Sequence, residues 1–284
     1  MSDELWTVTG PQTIEVDNVR SLKLGIVKGR FDVVAHDEPF VRIEISEITG
    51  DPLTVTLVDG RLEVRHQLQG PQGWFRNLMG TVNNSSTNSV VVGIALPPGV
   101  DVEAGTVSGD GMVSGVSGRT RLNTVSGSVM ADGTNGELHV NTVSGEVIAR
   151  NHDGVLTAKS VSGEVTASGT FKSVRASTVS GDLSFDLQDY TNDFGANSVS
   201  GDLTIRLPHD VGLDIVAKSA SGTVVIDDQM YAQPGSNVHT IVGPDERLML
   251  VRTNTVSGKT YIIHGSAPSP SPDNSRQSPG EAGL

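Results

Sequence analysis

The sequence predicts an all-β protein: a parallel β-solenoid, or β-helix, with 18-residue coils and an N-terminal part that contains antiparallel strands. Three observations predict this fold. A Val-Ser-Gly tripeptide recurs at a fixed step, apolar residues form columns within that repeat, and the segment before the repeat alternates apolar with polar residues. The composition agrees, because 33 glycines and a hydrophobic content of 36% suit many short strands joined by tight turns.

The repeat is the strongest of these signals. The step is 18 residues from Gly109 to Gly181, then 20 and 21, and the last gap is 36 residues, which places the final glycine two periods beyond Gly222. Further glycines nine residues after the first three halve the period, so each coil is predicted to consist of two arcs, each a short strand and a bend. In this series Val-Ser-Gly ends at Gly109, Gly127, Gly145, Gly163, Gly181, Gly201 and Gly258, and Ala-Ser-Gly ends at Gly222.

Apolar residues recur at the same places in successive repeats, which predicts stacked columns in a shared core. Val147 and Ala149, two and four residues after Gly145, represent two such columns. Counting back two residues from each glycine on the same alternation places the tripeptide valines in the core as well, so Val143→Asp is expected to be strongly destabilising. These valines are Val107, Val125, Val143, Val161, Val179 and Val199.

The repeated glycine is predicted because the bend brings backbone close to backbone or requires a positive φ. The Thr and Ser residues before it are expected to stack as hydroxyl ladders that bond to each other and to the bend.

The region before the repeat is predicted to contain antiparallel strands. Asp59-Gly60 lies between two alternating segments and is a strong hairpin signal, and Lys28-Gly29 is a second candidate. The alternating segments are residues 22–27, 30–35, 40–46, 53–58 and 61–66.

We divide the chain into three parts. Residues 1–95 form an N-terminal β region that caps the solenoid and contains the loop 67–89, and residues 96–264 form the repeat solenoid. Residues 265–284 are rich in Pro and Ser and are expected to be disordered. Two similar segments with a Leu-Pro pair, 94–109 and 205–222, are each expected to start a fresh stack of coils.

The loop 67–89 carries the candidates for an interaction site. Trp74, Phe75, Leu78 and Met79 form a short apolar cluster at helical spacing. Two readings stay open: the cluster plugs the end of the core, or it is an exposed contact surface.

Charge and targeting signals limit the classes of function. The net charge of −13 and the lack of a basic stripe argue against a nucleic-acid partner. Residues 1–20 show no signal peptide, and no 18-residue apolar stretch predicts a membrane span. The chain has no Cys, and we expect a cytoplasmic location.

No catalytic residue, cofactor or metal site is predicted with a recognisable motif, so the protein is not expected to be an enzyme. The seven histidines show no metal-ligand spacing. The column of acids that follows the repeat glycine is interpreted first as a solvated face, and a cation-binding strip is the alternative. These acids are Glu146, Glu164, Asp182 and Asp202.

The Thr-Val-Ser-Gly units, the segment LPPGVDVEAGTVSGD (96–110) and the strand LEVRH (62–66) resemble a bacterial family of unknown function. This is the β-strand repeat or "putative adhesin" family, similar to the toast-rack domains found near envelope-stress modules. The resemblance covers about residues 5–264. It implies a β-helical interaction module without established chemistry.

These observations favour a non-catalytic interaction or scaffold module whose partner is another protein or a second copy of the chain. The first alternative is a cell-surface adhesin exported by a non-standard route. The second is a polysaccharide-acting β-helix enzyme, which needs a groove lined by acids and aromatic residues.

Overall fold

The computed structural model of the chain describes residues 4–66, 88–232 and 237–265. These residues form 24 strands and one short 3-10 turn, Asp245–Arg247. The N-terminal strands are β1 (Glu4–Val8), β2 (Gln12–Val16), β3 (Ser21–Ile26), β4 (Lys28–Ala35), β5 (Val41–Thr49), β6 (Leu53–Val58), β7 (Arg61–His66) and β8 (Ser89–Leu96). The repeat strands are β9 (Asp101–Thr106), β10 (Asp110–Ser114), β11 (Ser117–Thr124), β12 (Val129–Asp132), β13 (Asn135–Thr142), β14 (Val147–Ser160), β15 (Val165–Thr178), β16 (Leu183–Leu187), β17 (Asp193–Ser198) and β18 (Leu203–Leu207). The C-terminal strands are β19 (Gly212–Ser219), β20 (Val224–Ile226), β21 (Gln229–Ala232), β22 (Asn237–Val242), β23 (Leu248–Thr255) and β24 (Thr260–His264).

Each repeat coil contributes one strand to each of two layers, and equivalent strands of successive coils pair in parallel. In the first layer, β9, β11, β13 and the second half of β14 pair so that Leu122, Val140 and Ala158 lie side by side. In the second layer, β10, β12 and the first half of β14 pair in the same way. The inward side chains of both layers form one core, in which the rings of Phe185 and Phe194 are 5.1 Å apart in a T-shaped contact. The predicted β-solenoid with 18-residue coils is confirmed.

The predicted core columns are confirmed along the strands but not at the bend. Val147 and Ala149 are buried, whereas Val143 is 40% exposed and Val179 is 49% exposed. The prediction that the tripeptide valines face the core is therefore wrong. The alternation shifts by one residue at the corner, because two consecutive residues, Val143 and Ser144, both face outward there.

The order of coils at the C-terminal end differs from their order in the chain. Strand β23 pairs with β17 on one side and β19 on the other, and β24 pairs with β18 and β20. The last coil of the chain, 248–264, thus lies between two coils that precede it. Gly258 stacks between Gly201 and Gly222 rather than two periods beyond them.

A similar insertion occurs at the N-terminal end. The coil of β3 and β4 lies between the coil of β7 and β8 and that of β9 and β10. Lys28 and Gly29 do not form the candidate hairpin but lie at the bend between β3 and β4, in the place of a Val-Ser-Gly unit. The Ser108 N–H donates to Val27 O at 2.9 Å, as the Ser126 N–H donates to Val107 O in the next coil. Asp59-Gly60 does form the predicted hairpin between β6 and β7, with φ of 49° and 75°.

Antiparallel strands end the stack on both sides. At the N-terminal end β5 and β6 pair antiparallel with β8 and β7, followed by β2 and β1. At the C-terminal end, where no antiparallel strands were predicted, β21 and β22 pair antiparallel with β20 and β19.

The two Leu-Pro segments connect coils that are not neighbours. Residues 97–100 lead from β8 to β9 past the coil of β3 and β4, and residues 208–211 lead from β18 to β19 past the coil of β23 and β24. Each segment therefore continues one stack across an inserted coil, and neither starts a fresh stack as the sequence had suggested.

Candidate protein-interaction surface

Each Val-Ser-Gly bend carries the chain from the first layer to the second with the same arrangement of side chains. Thr142 is buried, Val143 and Ser144 are exposed, and Gly145 is buried again. The Thr142 hydroxyl donates to Gly145 O at 2.8 Å, which closes the bend from inside. Equivalent bonds come from Thr124, Ser160 and Ser198.

The bend glycines lie directly on one another. A Cβ atom on Gly163 would lie 2.1 Å from Gly145 O, and one on Gly145 would lie 2.2 Å from Gly127 O. Their φ angles are outside the left-handed region, so close approach between coils is what requires glycine here. The glycines of the second arc differ, since Gly136 and Gly154 have φ of 105° and 143°.

The outer edge of each bend uses its polar groups to hold the neighbouring coil. The Val143 N–H donates to Thr124 O at 3.2 Å, and the Ser144 N–H donates to Val125 O at 2.8 Å. The Ser144 hydroxyl also donates to Val125 O, at 3.1 Å. The outer serines therefore bond to backbone carbonyls of the neighbouring coil. The prediction that their hydroxyls bond to each other is wrong. The N–H groups of Val143 and Ser144 are therefore already hydrogen-bonded and cannot pair with an added strand.

The bends place one valine per coil in a continuous outward row, which we call the valine ladder. Val107 and Val125 are half-buried, and the other five members are 40–50% exposed. A groove of 240 Å³ lies beside Val199 and Val256. In stacking order the ladder consists of Val107, Val125, Val143, Val161, Val179, Val199 and Val256, with Val27 before it and Ala220 after it.

The two flanks of the ladder differ in charge. The flank on the first layer, the asparagine column, contains no acid; its members are Gly105, Asn123, Asn141, Lys159, Ser177, Asn197 and Asn254. Asn141 Nδ2 donates to Asn123 Oδ1 at 2.9 Å. The flank on the second layer, the acidic column, consists of Asp110, Ser128, Glu146, Glu164, Asp182 and Asp202, and it ends in the last coil of the ladder at Lys259.

The acids of the predicted cation strip stand in adjacent coils as the sequence suggested. Two of them, however, already accept hydrogen bonds from the backbone of the next coil. Asp182 accepts the Asp202 N–H at 2.9 Å, and Asp202 accepts the Lys259 N–H at 2.8 Å. Among the described residues no group of three or more His, Asp and Glu side chains could hold a metal ion. Cation binding by this column stays a prediction.

Two histidines are buried in the fold. His66 is 2% exposed and His152 is 1% exposed, and burial lowers the pKa of both imidazoles because the charged form loses its hydration. His152 Nδ1 lies 3.0 Å from the Thr134 hydroxyl. Both rings are shielded from solvent, so neither presents an acid or base to a substrate.

The four candidates Trp74, Phe75, Leu78 and Met79 lie outside the described residues. The strands that flank them are β7, which ends at His66, and β8, which begins at Ser89. The ladder itself was not identified from the sequence, although the fixed step of the tripeptide was the signal that could have located it.

The comparisons with known proteins agree with the fold. A family model described as Toastrack DUF4097 matches residues 14–260. A "putative lipid binding protein" from Parabacteroides distasonis is 15% identical, with a TM-score of 0.52 over 90% of this chain and 97% of that one. A "putative adhesin" from the same organism is 11% identical, with a TM-score of 0.50 over 92% of this chain and 97% of that one. No curated protein matches the chain.

Within the described ranges, no helix is long and apolar enough to cross a membrane.

Proposed function

We propose that this chain, which belongs to the Toastrack DUF4097 family, a family of unknown function, is a non-catalytic interaction module. Its contact surface is the valine ladder. The observation that carries the proposal is the row of five valines that are 40–50% exposed at identical places in successive coils. A contiguous exposed apolar strip is typical of a protein contact site. The stacked glycines and the bonds between coils fix its geometry, so that a partner meets a rigid surface.

The positions of the aromatic side chains speak against the polysaccharide-acting alternative. Phe171, Phe185 and Phe194 are at most 2% exposed, and Tyr190 is partly buried with Arg247 over its ring. A sugar polymer needs exposed aromatic faces beside catalytic acids. The three phenylalanines instead fill the core, which supports a binding role.

The adhesin alternative rests on a solved structure of similar fold that is described as a "putative adhesin". On that alternative the ladder faces the exterior of the cell, whereas our proposal keeps the cytoplasmic location expected from the sequence. The link to envelope stress belongs to the proposal too, because it comes from the resemblance to toast-rack domains. Fractionation of cells that produce the protein distinguishes the two locations.

The proposal is tested by removing the apolar strip without disturbing the fold. We expect Val161→Asp/Val179→Asp to lose the proteins that wild type retains in a pull-down from its native host, with an unchanged melting temperature. The matched control is Val34→Asp/Val58→Asp, since these valines are 41% and 46% exposed but lie off the ladder. Equal retention by the ladder variant and wild type would contradict the proposal.

A further inference from the structure

We propose that the partner of the valine ladder is a second copy of this chain, arranged with its coils parallel and related by a two-fold axis that runs along the stack. This inference rests on the proposed function, because it names the partner of the same surface. The spacing of the ladder is its first support. Successive valines are separated by the strand spacing of about 4.8 Å, and another copy offers a row with the same spacing.

The second support is the charge on the two flanks. The protein carries a net charge of −13, which opposes self-association in general. The ladder and the asparagine column contain no acid, and Lys159 contributes a positive charge to that column. The ladder and this flank therefore add no acid-to-acid repulsion between two copies.

The third support is that the charges select one arrangement. A two-fold axis perpendicular to the stack places the acidic column of one copy against the acidic column of the other, where like charges repel. An axis along the stack places the acidic column against the asparagine column. Lys159 and Glu164 lie on opposite flanks of one coil, so this axis brings each Lys159 to the Glu164 of the second copy.

The extent of the ladder predicts a weak complex. Its seven positions span about 29 Å at the strand spacing. The exposed apolar area is on the order of a few hundred Å², less than the roughly 800 Å² per partner of a standard stable interface. The dimer is therefore expected only at high protein concentration, with mass that rises with concentration in sedimentation equilibrium.

The absence of Cys from the chain permits a direct test of the arrangement. With an axis along the stack, every ladder position faces itself, so Val143→Cys, Val161→Cys, Val179→Cys and Val199→Cys should each form a disulfide-linked dimer under mild oxidation. Val34→Cys and Val58→Cys, equally exposed but off the ladder, should form no disulfide-linked dimer. Cross-linking at a single ladder position would indicate antiparallel copies and overturn the proposal.

Charge reversal provides a second test without a covalent bond. Lys159→Glu should raise the dimer dissociation constant about tenfold, because it sets two acids against each other. Adding Glu164→Lys to it should restore the wild-type dissociation constant. Asp186→Lys, an exposed reversal elsewhere on the second layer, should not rescue Lys159→Glu.

The two proposals fail in distinguishable ways. If wild type stays monomeric and no ladder cysteine cross-links, a second copy is not the partner. The proposed function survives that result if the ladder variant still loses a different protein in the pull-down. If neither self-association nor capture of another protein depends on the ladder, both proposals are wrong.

Discussion

The valine of each bend shows where an alternating pattern stops being informative. Along a strand, alternate residues face the same side, and the columns that contain Val147 and Ala149 were predicted correctly. At the corner between two layers, two consecutive residues face outward. The sequence Thr-Val-Ser-Gly alternates polar with apolar residues across that corner, so hydropathy alone assigns valine to the core. Only the position of the corner, which the structure supplies, reverses the assignment.

A pair of substitutions in one coil tests this corrected assignment. We expect Val143→Asp to change the free energy of unfolding by less than about 1 kcal/mol, because Val143 is 40% exposed and a carboxylate there can stay hydrated. Val147 is fully buried, and Val147→Asp should cost about 3 kcal/mol or more, since it buries a charge without a partner. Urea denaturation measures both values. Similar losses for the two variants would contradict the assignment of faces.

The buried histidines predict how stability depends on pH. Burial lowers the pKa of the His152 imidazole in the folded state, whereas the unfolded value is about 6.5. Below that pH the unfolded chain binds a proton that the folded protein resists, so stability is highest above it and falls as the pH decreases. His66 contributes in the same direction.

This dependence is measured as the difference in unfolding free energy between about pH 7.5 and about pH 5, on either side of the unfolded pKa. His152→Gln should reduce that difference, because the variant has no proton to bind there. His209→Gln replaces an exposed histidine and should leave it as in wild type. An unchanged difference in His152→Gln would show that this group does not limit stability in acid.

At the scale of elements, local turn chemistry was predictable and long-range pairing was not. Asp59-Gly60 fixes a hairpin by itself because both residues tolerate positive φ. The pairing of β22 with β19 joins residues on either side of an intervening hairpin, and no short motif indicates it. The Val-Ser-Gly bend lies between these cases: its spacing showed that it repeats, and the structure showed that contact between coils is what requires the glycine.

The bend can be tested as an element through its glycine. Gly163→Ala would place a Cβ atom 2.1 Å from Gly145 O, so the coils must move apart, at an expected cost of about 1–3 kcal/mol. Gly93→Ala is the control. It lies in β8 with no heavy atom within 4 Å of the added Cβ and should be neutral or stabilising by up to about 1 kcal/mol. Equal melting temperatures for the two variants would show that the stack tolerates a wider spacing.

At the scale of the whole molecule, the order of coils is the feature that the repeat could not reveal. Gly201, Gly222 and Gly258 belong to equivalent bends, and each fits above or below any other, so the sequence is compatible with several orders. In the structure the last coil forms side-chain contacts with both of the coils between which it lies. Arg252 pairs with Asp193 at 2.8 Å, and His264 Nδ1 lies 2.6 Å from Asp227 Oδ2.

This order predicts an unusual response to truncation. In a solenoid whose coils follow chain order, removing the C-terminal coil exposes only the next one. Here, ending the chain at Val242 removes β23 and β24 and leaves β19 and β20 without the coil that joins them to β17 and β18. The buried Met249, Val251 and Ile262 are lost too, at about 1.5–3 kcal/mol each, a large part of the about 5–15 kcal/mol of a typical domain. We therefore expect thermal unfolding to shift to much lower temperature and to become less cooperative.

Ending the chain at Gly265 is the control: it removes residues 266–284, which lack large apolar residues before the final Leu, and should leave the transition in place. If the chain ending at Val242 melted like the control, the last coil would not be the link between its two neighbours, and the inserted order would be wrong.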